Sequence, residues 1–166
     1  MMETGPDLRT AGQARPGCPV SQVKDKLRRA GLRPTRQRIC LGWLLFGKGD
    51  RHITADTLFD EAQRARVPLT LATVYNTLKQ FTDAGLLRQI AVEGRKAYFD
   101  TDVTDHHHFL VDGEGELIDA PHTSAPLTVT DLPAAPAGYE IKRVDVIIRL
   151  RRRSGAPRRI SGAQAP

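Results

Sequence analysis

Apolar side chains recur at Leu71, Val74, Tyr75, Leu78 and Phe81, the spacing of one stripe along a helix. Pro68 and Thr70 supply its start, with Thr70 as the cap, and Gly85 supplies a left-handed stop. Thr73, Asn76, Thr77, Lys79, Gln80 and Asp83 make up the opposite face. That face is short, polar and weakly charged. It fits between two phosphate backbones and against base edges, and it equally suits an ordinary solvated surface helix. Three further helices are expected upstream. Ser21 to Ala30 turns Val23 and Leu27 inward. Thr35 to Phe46 follows the Pro34–Thr35 start signal and carries Ile39, Trp43, Leu44 and Phe46. Ala55 to Ala65, capped by Thr54, buries Leu58, Phe59, Ala62 and Ala65.

The pattern then changes. Leu87, Ile90 and Val92 precede Glu93-Gly94, and Ala97, Tyr98 and Phe99 follow it, so Leu86 to Phe99 reads as a hairpin. Arg88, Arg95 and Lys96 put positive charge along or near its turn. Helices followed at once by a basic hairpin have the order of a winged helix-turn-helix. Trp43, Phe59, Leu78 and Phe81 are expected among the larger members of its core. Beyond Asp100, His106 to Val111 and Glu116 to Asp119 read as strands around a turn at Gly113 to Gly115. Leu127 to Pro136 suggests a short helix. In the strand expected over Tyr139 to Leu150, Val144, Val146 and Ile148 alternate with Asp145, Ile147 and Arg149, leaving both faces partly apolar. So small a sheet has little core of its own, and pairing with a second subunit would bury that face. The expected fold is α+β, with an N-terminal winged helix-turn-helix followed by a small α/β dimerisation domain. The boundaries are a mobile segment over 1–20, the winged helix over 21–100, a hinge at 101–105, the second domain over 106–152 and a disordered basic tail over 153–166.

Charge adds a partner class. The chain of 166 residues has a net charge of +6 and a pI of about 9.7, which favours a polyanionic partner. No apolar run is long enough to span a membrane, and no signal core follows the N-terminus, so a cytoplasmic protein is expected. Cys18 and Cys40 are the only cysteines, too few for a tetrathiolate zinc site. Cys40 reads as a core thiol.

The histidines carry the remaining chemistry. Strand alternation puts His106 and His108 on one side and His107 on the other. Two imidazoles with carboxylates from Asp100, Asp102, Asp105 or Asp119 nearby suit iron, manganese or zinc, although a histidine cluster can also face water and bind nothing. No Ser/His/Asp or HExxH spacing supports catalysis, so no enzyme is expected.

Taken together, GLRPTRQR (Gly31–Arg38), HITADTLF (His52–Phe59), ATVYNTLKQFTDAGLL (Ala72–Leu87) and DHHHFLV (Asp105–Val111) resemble the ferric uptake regulator family over roughly Val20 to Arg152. GWLLFGKG (Gly42–Gly49) and GYEI (Gly138–Ile141) are most similar to its rhizobial-type, haem-responsive iron-response regulators. The resemblance implies a dimeric transcription regulator, a repressor or activator of iron and haem homeostasis, whose DNA binding follows haem and a divalent metal. Tyr75 then matches the recognition-helix tyrosine near bases, and Arg33 or Arg36 lies near the backbone or minor groove. The DNA-binding set is Arg33, Arg36, Thr73, Tyr75, Asn76, Thr77, Lys79, Arg95 and Lys96. His52 matches a metal-binding histidine, and His106 and His108 fall within the histidine cluster after the hinge. With Asp119 and Asp100 they would hold Mn²⁺ or Fe²⁺, with Zn²⁺ as a competitor in vitro. Haem would use Cys18, in a Cys-Pro pair, and His106, His107 and His108, supplied by a haem-donating partner.

The chain departs from the family pattern in several places. Val111 and Glu114 stand where the family has its first CxxC pair, and there is no second pair. Asp119 replaces a common glutamate, Asp100 fits the hinge glutamate only with a one-residue shift, and Val144 stands at another frequent histidine position. The expected DNA partner is a palindromic, AT-rich duplex bound by a homodimer. The competing reading is a metal- or haem-binding storage or chaperone protein with only nonspecific affinity for DNA.

Overall fold

A computed structural model describes residues 19–92, 94, 96–120 and 129–155. The described residues form two compact units, 19–104 and 105–155. Of the segment 1–20 expected to be mobile, residues 1–18 lie outside the described residues, while Val20 is already helical; of the tail expected over 153–166, residues 156–166 lie outside them. No described helix is long and apolar enough to cross a membrane.

The first unit has four helices, α1 (Val20–Arg29), α2 (Arg36–Phe46), α3 (Ala55–Arg64) and α4 (Leu71–Asp83), and three short strands, β1 (His52–Thr54), β2 (Arg88–Ile90) and β3 (Tyr98–Asp100). Three helices start the same way. The hydroxyls of Thr35, Thr54 and Thr70 accept from the N–H groups of Arg38, Thr57 and Thr73, satisfying donors that the first turn leaves open. Three helices also end the same way. After α4, Gly85 takes φ 71°, its N–H donates to the Thr82 carbonyl, and Leu86 N–H donates to the Phe81 carbonyl. Gly31 closes α1 with the same pair of bonds, but at the end of α3 the left-handed position is held by Arg66, at φ 54°. A side chain there costs roughly 1 kcal/mol.

These helices close over Val23, Leu27, Leu41, Leu45, Leu58, Val74, Leu78 and Phe81, all fully buried, with the Phe46 and Phe81 rings stacked at 6.1 Å. Trp43 is not part of this core, contrary to expectation. It is 44% exposed, because α2 turns Leu41, Gly42, Leu44, Leu45 and Phe46 inward, and this leaves position 43 on the outer side. Phe59 is half-buried at the edge of the core. Gly42 lets α2 pass close to Val23 of α1. A Cβ there would lie 2.7 Å from Val23 Cγ1.

The hairpin is present, with β2 antiparallel to β3, but it has a third strand. β1 pairs with the other edge of β3, giving the order β1-β3-β2. From the sequence, Ile53 is only the lead into a helix. The register of β1 sets His52 and Arg88 on either side of Asp100.

The second unit is a sheet of order β5-β4-β6, formed by β4 (His108–Val111), β5 (Glu116–Asp119) and β6 (Ile147–Leu150). β4 and β5 are antiparallel around the expected turn, and β6 runs parallel to β4. The strand expected over Tyr139 to Leu150 is thus confined to its last four residues, because β4 offers only four positions to pair with. The short helix expected over 127–136 is absent from its described part, 129–136, which is irregular. Ion pairs hold the C-terminal segment to the hairpin, Arg149 with Asp112 at 3.3 Å and Arg152 with Glu114, and to the residues before it, Arg143 with Asp105 at 3.0 Å.

Candidate metal-ligand groups and nucleic-acid interface

The outward side of α4 differs by one step from the expected one. Val74, Thr77, Leu78 and Phe81 face the core, while Tyr75 is 44% exposed. Thr77 is therefore withdrawn from the DNA-contacting set: it is 5% exposed, because it lies between Val74 and Phe81 on the inward arc. Its methyl suits that position. Tyr75 and Asn76 remain exposed, and Lys79 is exposed with its Nζ 2.7 Å from Asp83 Oδ2. Thr73 is half-buried, and its hydroxyl lies 2.9 Å from that of the cap Thr70.

Arg33 and Arg36 are exposed at the entry to α2. Arg38 lies beside them, with Nη1 on the Arg33 carbonyl at 2.8 Å and Nε on Gln80 Oε1 of α4 at 3.0 Å. On the hairpin, Lys96 is exposed and pairs with Asp56 at 2.8 Å. The bond to that carboxylate holds the lysine's pKa above its usual value. Arg95 lies outside the described residues. Arg88 does not present its charge at the turn as expected. It is 7% exposed and donates from Nη1 to the Thr104 carbonyl at 3.2 Å, because its strand position points into the unit.

The imidazoles fall into two groups, one in each unit. In the first, His52 Nε2 lies 3.5 Å from Asp100 Oδ2, as the β1–β3 register requires. Asp100 is 1% exposed, and its Oδ1 accepts from Asp102 N–H at 2.8 Å. In the second, His106 and His108 face the same way, with ring centroids 4.4 Å apart. Asp119, opposite His108 in the β4–β5 register, brings Oδ1 to 3.0 Å from His106 Nε2 and 3.8 Å from His108 Nε2. His106, His108 and Asp119 thereby offer one ligand atom each, all within 4.8 Å of one another. Both histidines are buried and the carboxylate is half exposed, a nitrogen-and-oxygen donor set that fits Mn²⁺, Fe²⁺ or Zn²⁺. His107 points elsewhere and is half-buried. Cys40 is a half-buried free thiol on α2, and Cys18 lies outside the described residues.

The residues that sequence reasoning misses are polar ones. Gln80 and Asp56 act as partners of Arg38 and Lys96, and no periodicity marks them. A bidentate pair between Arg51 and Glu61, at 2.6 and 3.1 Å, adds Lys48 at 3.0 Å. Burial alone would raise the Glu61 pKa, but the bonds from Arg51 and Lys48 outweigh it and lower the value below 4.5.

Similarity to known proteins agrees with this arrangement. The family model described as the ferric uptake regulator family matches residues 29–148. The peroxide operon regulator of Bacillus subtilis (strain 168) is 27% identical over 123 residues, 74% of this chain and 83% of that protein. The ferric uptake regulation protein of Pseudomonas aeruginosa is 34% identical over 95 residues, 57% of this chain and 71% of its own length. Among solved structures, the ferric uptake regulator from Pseudomonas aeruginosa with manganese superposes with a TM-score of 0.58 at 25% identity, covering 78% of this chain and 97% of that one.

Proposed function

This chain belongs to the ferric uptake regulator family and is a metal-responsive DNA-binding transcriptional regulator, not an enzyme; on that premise we propose that it acts as a homodimeric repressor on a palindromic, AT-rich operator. The observation that carries this reading is the exposed Tyr75–Asn76 edge of a capped, well-packed α4, with Arg33 and Arg36 exposed in the same unit. Tyr75 and Asn76 would meet base edges, and the arginines, Lys79, Lys96 and Arg95 would meet phosphates. Binding to the operator and to a scrambled duplex at matched physiological salt tests it. A clear preference for the operator, weakened by Tyr75→Ala, is expected. Equal affinities would leave only charge-driven binding and return the storage or chaperone reading.

For metal, the proposal is that His52 and Asp100 of the first unit share one ion with His106, His108 and Asp119 of the second. Support comes from each group's own geometry and from the short tether. Five residues separate Asp100 from His106, a span of at most roughly 20 Å. A bound divalent ion would restrict the angle between the units, and with it the spacing of two α4 helices in a dimer. The Pseudomonas aeruginosa regulator, whose structure was solved with manganese, favours a first-row ion of this hardness.

A second reading adds haem as the ligand that releases DNA. It rests on Gly17-Cys18-Pro19, on the similarity to haem-responsive regulators of iron and haem balance, and on the run His106 to His108. Because His106 and His108 are buried beside Asp119, His107, half-buried, is the one of these three more open to a macrocycle. Haem at the other two would compete with the ion. Haem titration of the operator complex, repeated with Cys18→Ala and with His106, His107 and His108 all changed to Ala, tests this reading. Release at low stoichiometry that is lost in the variants is expected. Absence of release in the unaltered protein would remove haem from the account.

A further inference from the structure

Arg38 joins segments that are distant in sequence. Its backbone N–H donates to the Thr35 hydroxyl at 3.4 Å, its Nη1 to the Arg33 carbonyl at 2.8 Å, and its Nε to Gln80 Oε1 at 3.0 Å. A guanidinium is planar and its donors point in fixed directions, so one that satisfies a carbonyl and an amide together sets the distance between them. One end of this link is the backbone of Arg33, already confined to extended conformations by the following Pro34. The other end is Gln80, one helical turn beyond Asn76 on the same side of α4. Arg33, whose carbonyl is one end of this brace, is exposed, and Tyr75 and Asn76 are exposed on α4, which carries the other end.

We propose that Arg38 is a positioning residue for DNA recognition: it fixes the Arg33 loop against α4, so that Arg33 and the Tyr75–Asn76 edge engage one duplex in a single register. This inference rests on the DNA-binding reading above. Arg38 need not touch DNA in this role. Its Nε and Nη1 are engaged by Gln80 and Arg33, and its effect passes through the residues it holds. Lysine cannot replace it, because a single ammonium does not reproduce the fork that spans both acceptors.

The test uses the full chain with Mn²⁺ and two duplexes: one enriched by the unaltered protein from a randomised library, and its scrambled version. Affinities are measured across a range of salt for Arg38→Met, Arg38→Lys, Arg33→Ala and the Arg38→Met/Arg33→Ala double variant, with thermal melting as the control for folding. Arg38→Met is expected to lose about tenfold of the preference for the enriched duplex, from loss of charged hydrogen bonds. Arg38→Lys should be as poor. Arg33→Ala should cost less in the Arg38→Met background than alone, which a purely structural residue would not cause. Gln80→Ala breaks only the α4 half of the brace at an exposed, helix-compatible position, so it carries the same coupling test if Arg38→Met fails to fold. An unchanged preference, or additive effects of the two arginines, would overturn the proposal. A salt slope reduced by about one with preference intact would also overturn it, because Arg38 would then be a phosphate contact. If the unaltered protein enriches no sequence, the regulator reading fails and this inference falls with it.

Discussion

The first unit closes four helices over aliphatic and aromatic side chains that are fully buried, from Val23 to Phe81. In the described part of the second unit the buried aliphatics are Leu110, Val111 and Leu117, and beside them His106 and His108 are buried too. Several apolar side chains of that unit face outward, among them Tyr139 at 77% exposure and Ile141 at 49%. Hydrocarbon burial contributes about 25 cal/mol per Å², so the first unit has a stabilising term that needs no ligand. Buried imidazoles and a row of ion pairs give the second unit much less, since polar groups repay their desolvation only when fully partnered. The unit that carries α4 thus has a core that needs no ligand, and the unit with the buried His106 and His108 is the one whose order a bound ion or a second subunit would strengthen.

The largest effect that probes this contrast is core truncation. Phe81→Ala should destabilise the first unit by about 3–5 kcal/mol, and Leu117→Ala should cost the second nearer the lower end of the roughly 2–5 kcal/mol range for leucine. Amide exchange on α4 and on β4 separates the two losses. Equal losses would break the contrast.

Metal should act the other way round. At about a hundredfold excess over its dissociation constant, Mn²⁺ should add ~2.7 kcal/mol to opening of β4 and β5, seen as slower exchange there. Exchange in the α2–α4 core should change little. A gain in the α2–α4 core equal to that at β4 and β5 would show that the ion's effect does not concentrate at its ligands, which on the shared-site reading include His52 and Asp100 on β1 and β3.

Glu61 gives a pH signature confined to the first unit. Its folded pKa lies below 4.5, so its pairing with Arg51 contributes above that pH and is lost as pH falls through the lowered folded value. Glu61→Gln should cost about 1–3 kcal/mol near neutrality, with Lys48, half exposed, adding little of it. In denaturant titrations the gap between the two proteins should close in acid. A gap that persisted would show that the pair does not act through charge.

The smallest change is at Arg66. Arg66→Gly should stabilise the first unit by about 0.5–1 kcal/mol, by relieving the left-handed backbone that ends α3. A loss of stability in the melt would mean that the arginine side chain compensates for the strain.

The four helices are legible in the sequence because their signals are local. Thr54 and Thr70 cap where the sequence places them, Pro34 and Thr35 mark the start of α2, and Val23, Leu27, Leu58, Val74 and Phe81 repeat at helical spacing. The turn of α4 about its own axis is not legible, since Tyr75 and Thr77 lie at opposite edges of the inward arc and only packing decides between them. β1 escapes because three residues show no period, and its strand exists through pairing with β3. The reverse error occurs at Tyr139 to Leu150, where alternation continues but the partner strand does not. Of the candidate ligands, the shared side of His106 and His108 follows from strand alternation, and the structure places their imidazoles together. Pairing of His52 with Asp100 depends on the unforeseen β1.

If His52 and Asp100 share one ion with His106, His108 and Asp119, histidines of both units must contribute to its affinity. Calorimetric titration of Mn²⁺ into metal-free protein, repeated with His52→Ala and with His108→Ala, tests it most directly. One tight site per chain is expected, weakened or lost in each variant, although the two histidines belong to different units. Unchanged stoichiometry and affinity in either variant would contradict the shared site.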